Sequence, residues 1–332
     1  MRPDPAANAE LSLRDVYRAR TRIQGRVRRT PLLRSDSLSR RTGAEVFLKL
    51  ESLQETGAFK LRGATNKLMA LGPDERTRGV VTVSTGNHGR AVAFAGQSLG
   101  IRATVCMSEL VPRNKVAAIE ALGAEVRISG RSQDEAEIVA DRLAAELGMV
   151  PVSPFDDPFV IAGQGTIGLE LLEDLPDLDA VLVPLSGGGL LGGVALVLKA
   201  ASPAIRTVGI TMERGAAMHE SLKAGRPVEV EEVESLADSL GGGIGRGNRR
   251  TFDLCRRYVD DSLLVSEAEI ADGMRHLFFE ERLVAEGGAA VGVSALLHER
   301  VAVGGLRVAL IISGRNVDIK KFLRVVGEGS SG

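Results

Sequence analysis

The segment Val80-Val81-Thr82-Val83-Ser84-Thr85-Gly86-Asn87-His88-Gly89 decides how this chain folds. Four β-branched residues in a row, followed by a small polar turn and the helical pattern Arg90–Leu99, read as a buried strand running into a helix. Gly100 punctuates, and Ile101–Met107 reads as the next strand. The helix Asn114–Leu122, the strand Glu125–Ile128 and the helix Ser132–Leu147 follow. Continuous apolar runs separated by helices predict a parallel sheet covered on both faces, joined by right-handed crossovers. The stretch Pro151–Pro158, with three prolines and two aspartates, reads as a crossing between lobes. Beyond it the alternation resumes with strands at Ala180–Leu185, Ile205–Thr211 and Leu306–Ile312. Helices are expected at Leu190–Ala200, Glu267–Leu283 and Ala289–His298. The expected architecture is α/β in two lobes, each a mostly parallel sheet flanked by helices. A small mobile domain at 79–156 is inserted into a larger one made of 1–78 and 157–326. The Gly/Ser-rich 327–332 is expected to be a disordered tail.

Composition narrows the function classes. At 332 residues the chain can bury a large core, and 44% hydrophobic with 26% charged residues is ordinary for a globular protein. Lys plus Arg (42) and Asp plus Glu (43) balance, so no charge argument supports binding to nucleic acid or an anionic membrane. With no Trp and two Tyr, platforms for stacking single-stranded bases are lacking. Cys106 and Cys255 have no Cys-x-x-Cys spacing, which argues against a thiolate zinc site or a disulfide framework. No signal-like run opens the chain, and no stretch approaches the ~20 apolar residues of a membrane span. A cytoplasmic location is the expectation.

Three further segments carry chemistry. In Thr56-Gly57-Ala58-Phe59-Lys60-Leu61-Arg62-Gly63 the lysine has apolar neighbours. Desolvation favours its neutral amine, the form that condenses with a carbonyl, although such a lysine can equally snorkel from a helix edge. The run Ser186-Gly187-Gly188-Gly189-Leu190 follows a strand and opens a helix, so several backbone N–H groups can converge on an anion. Gly187, Gly189 and Gly192 also satisfy G-x-G-x-x-G, with Glu213 closing the next strand. That pattern keeps a nicotinamide-dependent oxidoreductase open as an alternative. Ser313-Gly314-Arg315-Asn316 ends the last strand, where Ser313 can bond a ring nitrogen or cap a turn. Ligands of open α/β sheets bind at such strand ends. The turn residues Ser84, Thr85, Gly86, Asn87 and His88 lie at one of them and can receive a substrate carboxylate; Asn87 can alternatively cap its helix.

Taken in order, Phe59-Lys60, Ser84–Gly89, Ser186–Leu190 and Ser313-Gly314 resemble the fold-type II (tryptophan synthase β-like) pyridoxal-phosphate enzymes, specifically the serine/threonine dehydratases. The likeness runs from about Tyr17 to Lys320. It implies that Lys60 holds pyridoxal 5'-phosphate as a Schiff base, flanked by Phe59. Asn87 would bond the ring's phenolic oxygen, and Ser186, Gly187, Gly188, Gly189 and Leu190 would cradle the phosphate. Ser313 would face the pyridine nitrogen and Gly242, within Gly241-Gly242-Gly243, would line the exposed face. The implied reaction is an α,β-elimination of a β-hydroxy amino acid to a 2-oxo acid and ammonia, with Lys60 and Thr85 as catalytic residues.

The chain also departs from the family. Relatives that racemise serine carry serine where this chain has Thr85, so a racemase-dehydratase reading is in question. The resemblance implies a divalent cation, magnesium or calcium, at Glu213 and the Ala217 carbonyl, but His219 stands where relatives have a second acid. Ser52–Gly57, Met212–His219 and Ser235–Gly245 look most like the hydroxyectoine-utilisation dehydratases. On that likeness Asp134 and Glu135 could select a cationic substrate tail, or merely cap a helix. A homodimer is implied by the family alone.

Overall fold

The computed structural model describes residues 10–84, 86–109, 111, 113–130 and 133–327. Among these, ten strands form two sheets: β1 (Leu32–Arg34), β2 (Glu45–Lys49), β3 (Val80–Val83), β4 (Ala103–Met107), β5 (Glu125–Ile128), β6 (Val150–Pro151), β7 (Ala180–Pro184), β8 (Arg206–Met212), β9 (Asp261–Val265) and β10 (Arg307–Ile311). The larger sheet runs β1-β2-β10-β7-β8-β9 and the smaller β5-β4-β3-β6. Every pair is parallel except β1 with β2.

The central strands are the continuously apolar ones. Every residue of β4 and of β7 is buried, because helices cover both faces. At the margin of the smaller sheet, β5 exposes Glu125 and Arg127, and charged side chains suit an edge. β10 is threaded between β2 and β7, with Ala309 opposite Phe47 on one side and Val181 on the other. That insertion places the ends of β2, β7 and β10 side by side, and the end of β3 belongs to the second sheet.

Several boundaries differ from the sequence reading. The helix after β3 starts at Asn87 rather than Arg90, because Gly86 is its N-cap. The helix from Glu267 stops at Phe279, before Leu283; Arg282 adopts φ 58 there, and the Leu283 N–H returns to the Leu277 carbonyl. The crossing at Pro151–Pro158 runs directly into the helix Pro158–Asp174, whose N-cap is Asp157. Gly327 ends the last helix, and 328–332 lie outside the described residues.

The helix Lys60–Met69 is seated by two contacts. Gly163 of the helix Pro158–Asp174 lies against it so closely that a Cβ there would come 2.7 Å from both the Arg62 carbonyl and Gly63 Cα. The helices therefore cross backbone to backbone. In addition, the Arg62 guanidinium is 1% exposed and bonded to two carboxylates. Its Nε and Nη2 donate to Glu51 at 2.8 Å each, and Nη1 and Nη2 donate to Glu170 at 2.6 and 2.9 Å. Lys49 Nζ completes the cluster, 2.6 Å from Glu170 and 2.7 Å from the Thr30 carbonyl. Burial opposes ionisation of Glu51, but Arg62, the Thr30 hydroxyl and, least, Lys49 overcome it and hold its carboxyl below the usual range.

Removing the central cation leaves Glu51 buried with no cation bonded to it and leaves Glu170 to Lys49 alone. Arg62→Met should cost about 3–5 kcal/mol, read as a lower urea midpoint at unchanged slope; an unaltered midpoint would show that the cluster does not restrain the fold.

Candidate active site

Four loops meet where the strands end. The backbone of 57–59 pairs with the loop after β10: Ala58 bridges Gly314, the Phe59 N–H donates to the Ser313 carbonyl (3.0 Å), and the Arg315 N–H donates to the Gly57 carbonyl (2.9 Å). Lys60 follows as the first residue of its helix. Its Nζ donates to the Pro154 carbonyl at 2.7 Å and lies 5.2 Å from the Phe59 ring centroid. Burial lowers the Lys60 pKa to about 8, and the Glu286 carboxyl partly offsets that fall.

The next residue after Pro154, Phe155, ties the lysine to the glycine loop. A Cβ on Gly187 would fall 2.2 Å from the Phe155 ring, and one on Gly189 would fall 3.0 Å from Phe155 Cα. Gly188 has φ +83 and is the N-cap of the helix Gly189–Ala201, a conformation that glycine adopts without strain. Behind it lies Cys255, a buried thiol whose pKa burial pushes up to about 12. Gly187, Gly188, Gly189 and Leu190 are buried, with Ser186 at their rim. The first-turn N–H groups of that helix have no intrahelical acceptor.

At the end of β3, the Ser84 hydroxyl accepts from the Gly86 N–H at 3.3 Å. His88 is buried, and its Nε2 lies 3.0 Å from the Val152 carbonyl. A carbonyl only accepts, so Nε2 carries the proton and Nδ1 is a bare acceptor. That Nδ1 is buried and has no partner among the described residues. Burial, helped by Lys60, depresses the His88 pKa to about 3, against a smaller opposing effect of Val152, so the ring stays neutral. Thr85 lies outside the described residues, as does the Asp134 side chain; Glu135 sits against Gly130, in the helix Gln133–Leu147.

The Asn87 amide is held at both ends. Its Nδ2 donates to Glu286 Oε1 (2.8 Å), and its Oδ1 accepts from Asn316 Nδ2 (2.7 Å). Glu286 is absent from the sequence reading, and Asn316 figures there only as the end of the Ser313–Asn316 turn, with no role of its own. Glu286 is 3% exposed, and burial, then Asp238, raises its pKa to about 7 against bonds from Ser239, Asn87 and the Asn316 N–H. A signal for it did exist: Glu286 is the lone acid at the head of Gly287–Leu297, a helix with no charged residue. Ser313 is buried beside this cluster. Gly242, at φ +90, has nothing within 4 Å of where a Cβ would stand.

The expected cation site is not supported. Glu213 is exposed, the Ala217 carbonyl accepts the Ser221 hydroxyl at 2.6 Å, and His219 Nδ1 meets Ser262 Oγ at 2.8 Å. No group of three His, Cys, Asp or Glu side chains fit to hold a metal occurs among the described residues. Nor is any described helix long and apolar enough to cross a membrane.

An amine of lowered pKa, a glycine loop able to take an anion and an amide donor fit an aldehyde cofactor bearing one phosphate. Comparison with known proteins agrees. The sequence profile described as pyridoxal-phosphate dependent enzyme matches residues 23–314. A putative threonine dehydratase of Sinorhizobium fredii is 55% identical over 318 residues, 96% of either chain. An L-threonine ammonia-lyase of Thermotoga maritima is 44% identical over 319 residues, 96% of this chain and 79% of that one. Among solved structures, maize serine racemase superposes with a TM-score of 0.90 at 33% identity, covering 96% of this chain and 98% of its own.

A lysine amine with a pKa of about 8 deprotonates well before an ordinary one. In the cofactor-free protein, the rate at which Lys60 captures a small aldehyde should therefore rise through about pH 8 and level off above it. A rate still climbing at pH 10, with Lys60→Arg as the blank, would contradict the geometry.

Proposed function

The chain belongs to the pyridoxal-phosphate-dependent enzymes, and on that premise we propose that it is an ammonia-lyase of the serine/threonine dehydratase type. It converts a β-hydroxy amino acid to a 2-oxo acid and ammonia. One observation carries this reading: the dipeptide Pro154-Phe155 joins the Lys60 amine to the glycine loop, bringing a nucleophile and an anion cradle to one place. Membership of this family leaves the nicotinamide alternative without support.

In this reading Lys60 would hold the cofactor, and its free amine would take the substrate's Cα proton. Pyridoxal phosphate, when bound, supplies the electron sink that makes this proton and then a β-hydroxyl leave readily. The Pro154 carbonyl orients the Lys60 nitrogen between these two roles. Backbone N–H groups of Ser186, Gly187, Gly188, Gly189 and Leu190 bind the phosphate, helped by the helix N-terminus. Asn87 would donate to the ring oxygen, and Phe59 and Gly242 would adjoin the group, Gly242 with no side chain to crowd it. Ser313 offers a hydroxyl to the ring nitrogen, which, unlike a carboxylate, does not force that nitrogen to stay protonated.

Ser84 and the backbone N–H groups of Gly86 and His88, together with Thr85, receive the substrate carboxylate; the neutral His88 ring, whose N–H is given to the Val152 carbonyl, holds that backbone in place. Thr85 keeps a hydroxyl where racemising relatives have serine, but is stiffer at χ1, so elimination without racemisation is expected. The 79–156 segment serves as a mobile lobe whose closure excludes water. A cytoplasmic homodimer is part of this reading, on family likeness alone.

The purified enzyme should absorb near ~410 nm, a property of the cofactor chemistry, and borohydride should attach the cofactor to Lys60. Lys60→Ala should abolish the band and lower ammonia release by more than about 10³-fold. A panel of threonine, serine, 3-hydroxyaspartate and hydroxyectoine-derived amino acids identifies the substrate, and ammonia from none of them would refute the elimination.

A further inference from the structure

Glu286 has no part in the reading above, yet its carboxylate touches the residue assigned to the cofactor's ring oxygen. An asparagine amide offers two N–H donors and one carbonyl. In Asn87, one N–H goes to Glu286 Oε1 at 2.8 Å and the carbonyl accepts from Asn316 Nδ2 at 2.7 Å. One N–H has no partner among the described residues. Turning the amide by 180° would set its oxygen against the carboxylate and its NH₂ against the Asn316 NH₂. Both mismatches would fall at a buried site, where an unpaired polar group is costly.

Asn316 is itself pinned. Its second amide N–H donates to the Thr56 carbonyl at 2.8 Å, and its backbone N–H donates to Glu286 Oε2 at 3.2 Å. Glu286 thus holds Asn87 with one oxygen and Asn316 with the other. No side chain stands between, since Gly314 lies so near that a Cβ would be 2.6 Å from Oε1. The remaining groups bearing on the carboxyl are Ser239, Asp238 and Lys60. Only a carboxylate offers acceptors at both positions. A glutamine would turn its own NH₂ toward one of two donors.

We infer that Glu286 is a positioning residue that, with Asn316, locks the Asn87 amide in one orientation and so reserves a single N–H for the cofactor. This rests on the assignment of Asn87 to the ring oxygen. It makes Glu286 act through Asn87 rather than on the substrate.

The test is a double-mutant cycle read by cofactor binding and the visible spectrum, with no substrate present. Measurements at pH 9, above the Lys60 pKa of about 8, keep the lysine neutral in every variant. Glu286→Gln should weaken pyridoxal phosphate binding about ten-fold, as expected for one lost charge-assisted bond, and shift the absorption maximum in the same direction as Asn87→Ala. In the Asn87→Ala background, Glu286→Gln should change neither quantity further. Asn316→Ala, which removes the other restraint, should behave alike and decides the matter if Glu286→Gln does not fold. Equal effects in both backgrounds, or a spectrum and affinity unchanged by the single substitutions, overturn the inference. If the unmutated protein itself lacks the band and the label at Lys60, the functional reading fails first.

Discussion

The Arg62 guanidinium, gripped by Glu51 and Glu170, is the constraint on which the site depends. Burying charges is expensive, and such a cluster is weak evidence for stability. Its effect here is positional. Glu51 precedes the helix Lys60–Met69, and Glu170 belongs to Pro158–Asp174, so any slide of one segment against the others separates paired charges from which water is excluded. Lys60 sits two residues before this anchor. The contrast between the two cations is physical: Arg62 is answered by two carboxylates and stays charged, whereas Lys60 has a backbone carbonyl and a more weakly ionising acid.

Much of this organisation was legible along the chain. β3, β4 and β7 announced themselves as unbroken apolar runs, and the loops after β3, β7 and β10 carried the turn residues that strand ends require. The Lys60 segment stood out because a charge among apolar neighbours needs a reason. Boundaries were less legible because caps, not periodicity, set them: Gly86 starts one helix early, and the left-handed Arg282 ends another. The strands β1, β2, β6 and β9 escaped notice because short or mixed segments carry little pattern: β1, β6 and β9 are sheet edges, and β2 begins and ends on the charged Glu45 and Lys49.

Long-range polar pairing was harder still. Nothing in local sequence joins Arg62 to Glu170, or Asn87 to Glu286, since those partners are brought together only by the order of strands in two sheets. The cation expectation at Glu213, Ala217 and His219 failed for the converse reason. A sequence match places residue types, but here the carbonyl and the imidazole were already occupied by Ser221 and Ser262.

The depressed Lys60 pKa carries a cost in chemical discrimination. At pH 7, about one amine in ten is uncharged, against on the order of one in 10³ for an ordinary lysine. A nucleophile so exposed to chance would condense with stray metabolite carbonyls as readily as with its intended partner. Choosiness must then reside in the anion cradle, which in the proposed reading raises the effective molarity of one phosphorylated aldehyde above that of every competitor. Reactivity and selectivity are thereby lodged on different elements, the head of the helix Lys60–Met69 and the loop after β7, free to be altered separately.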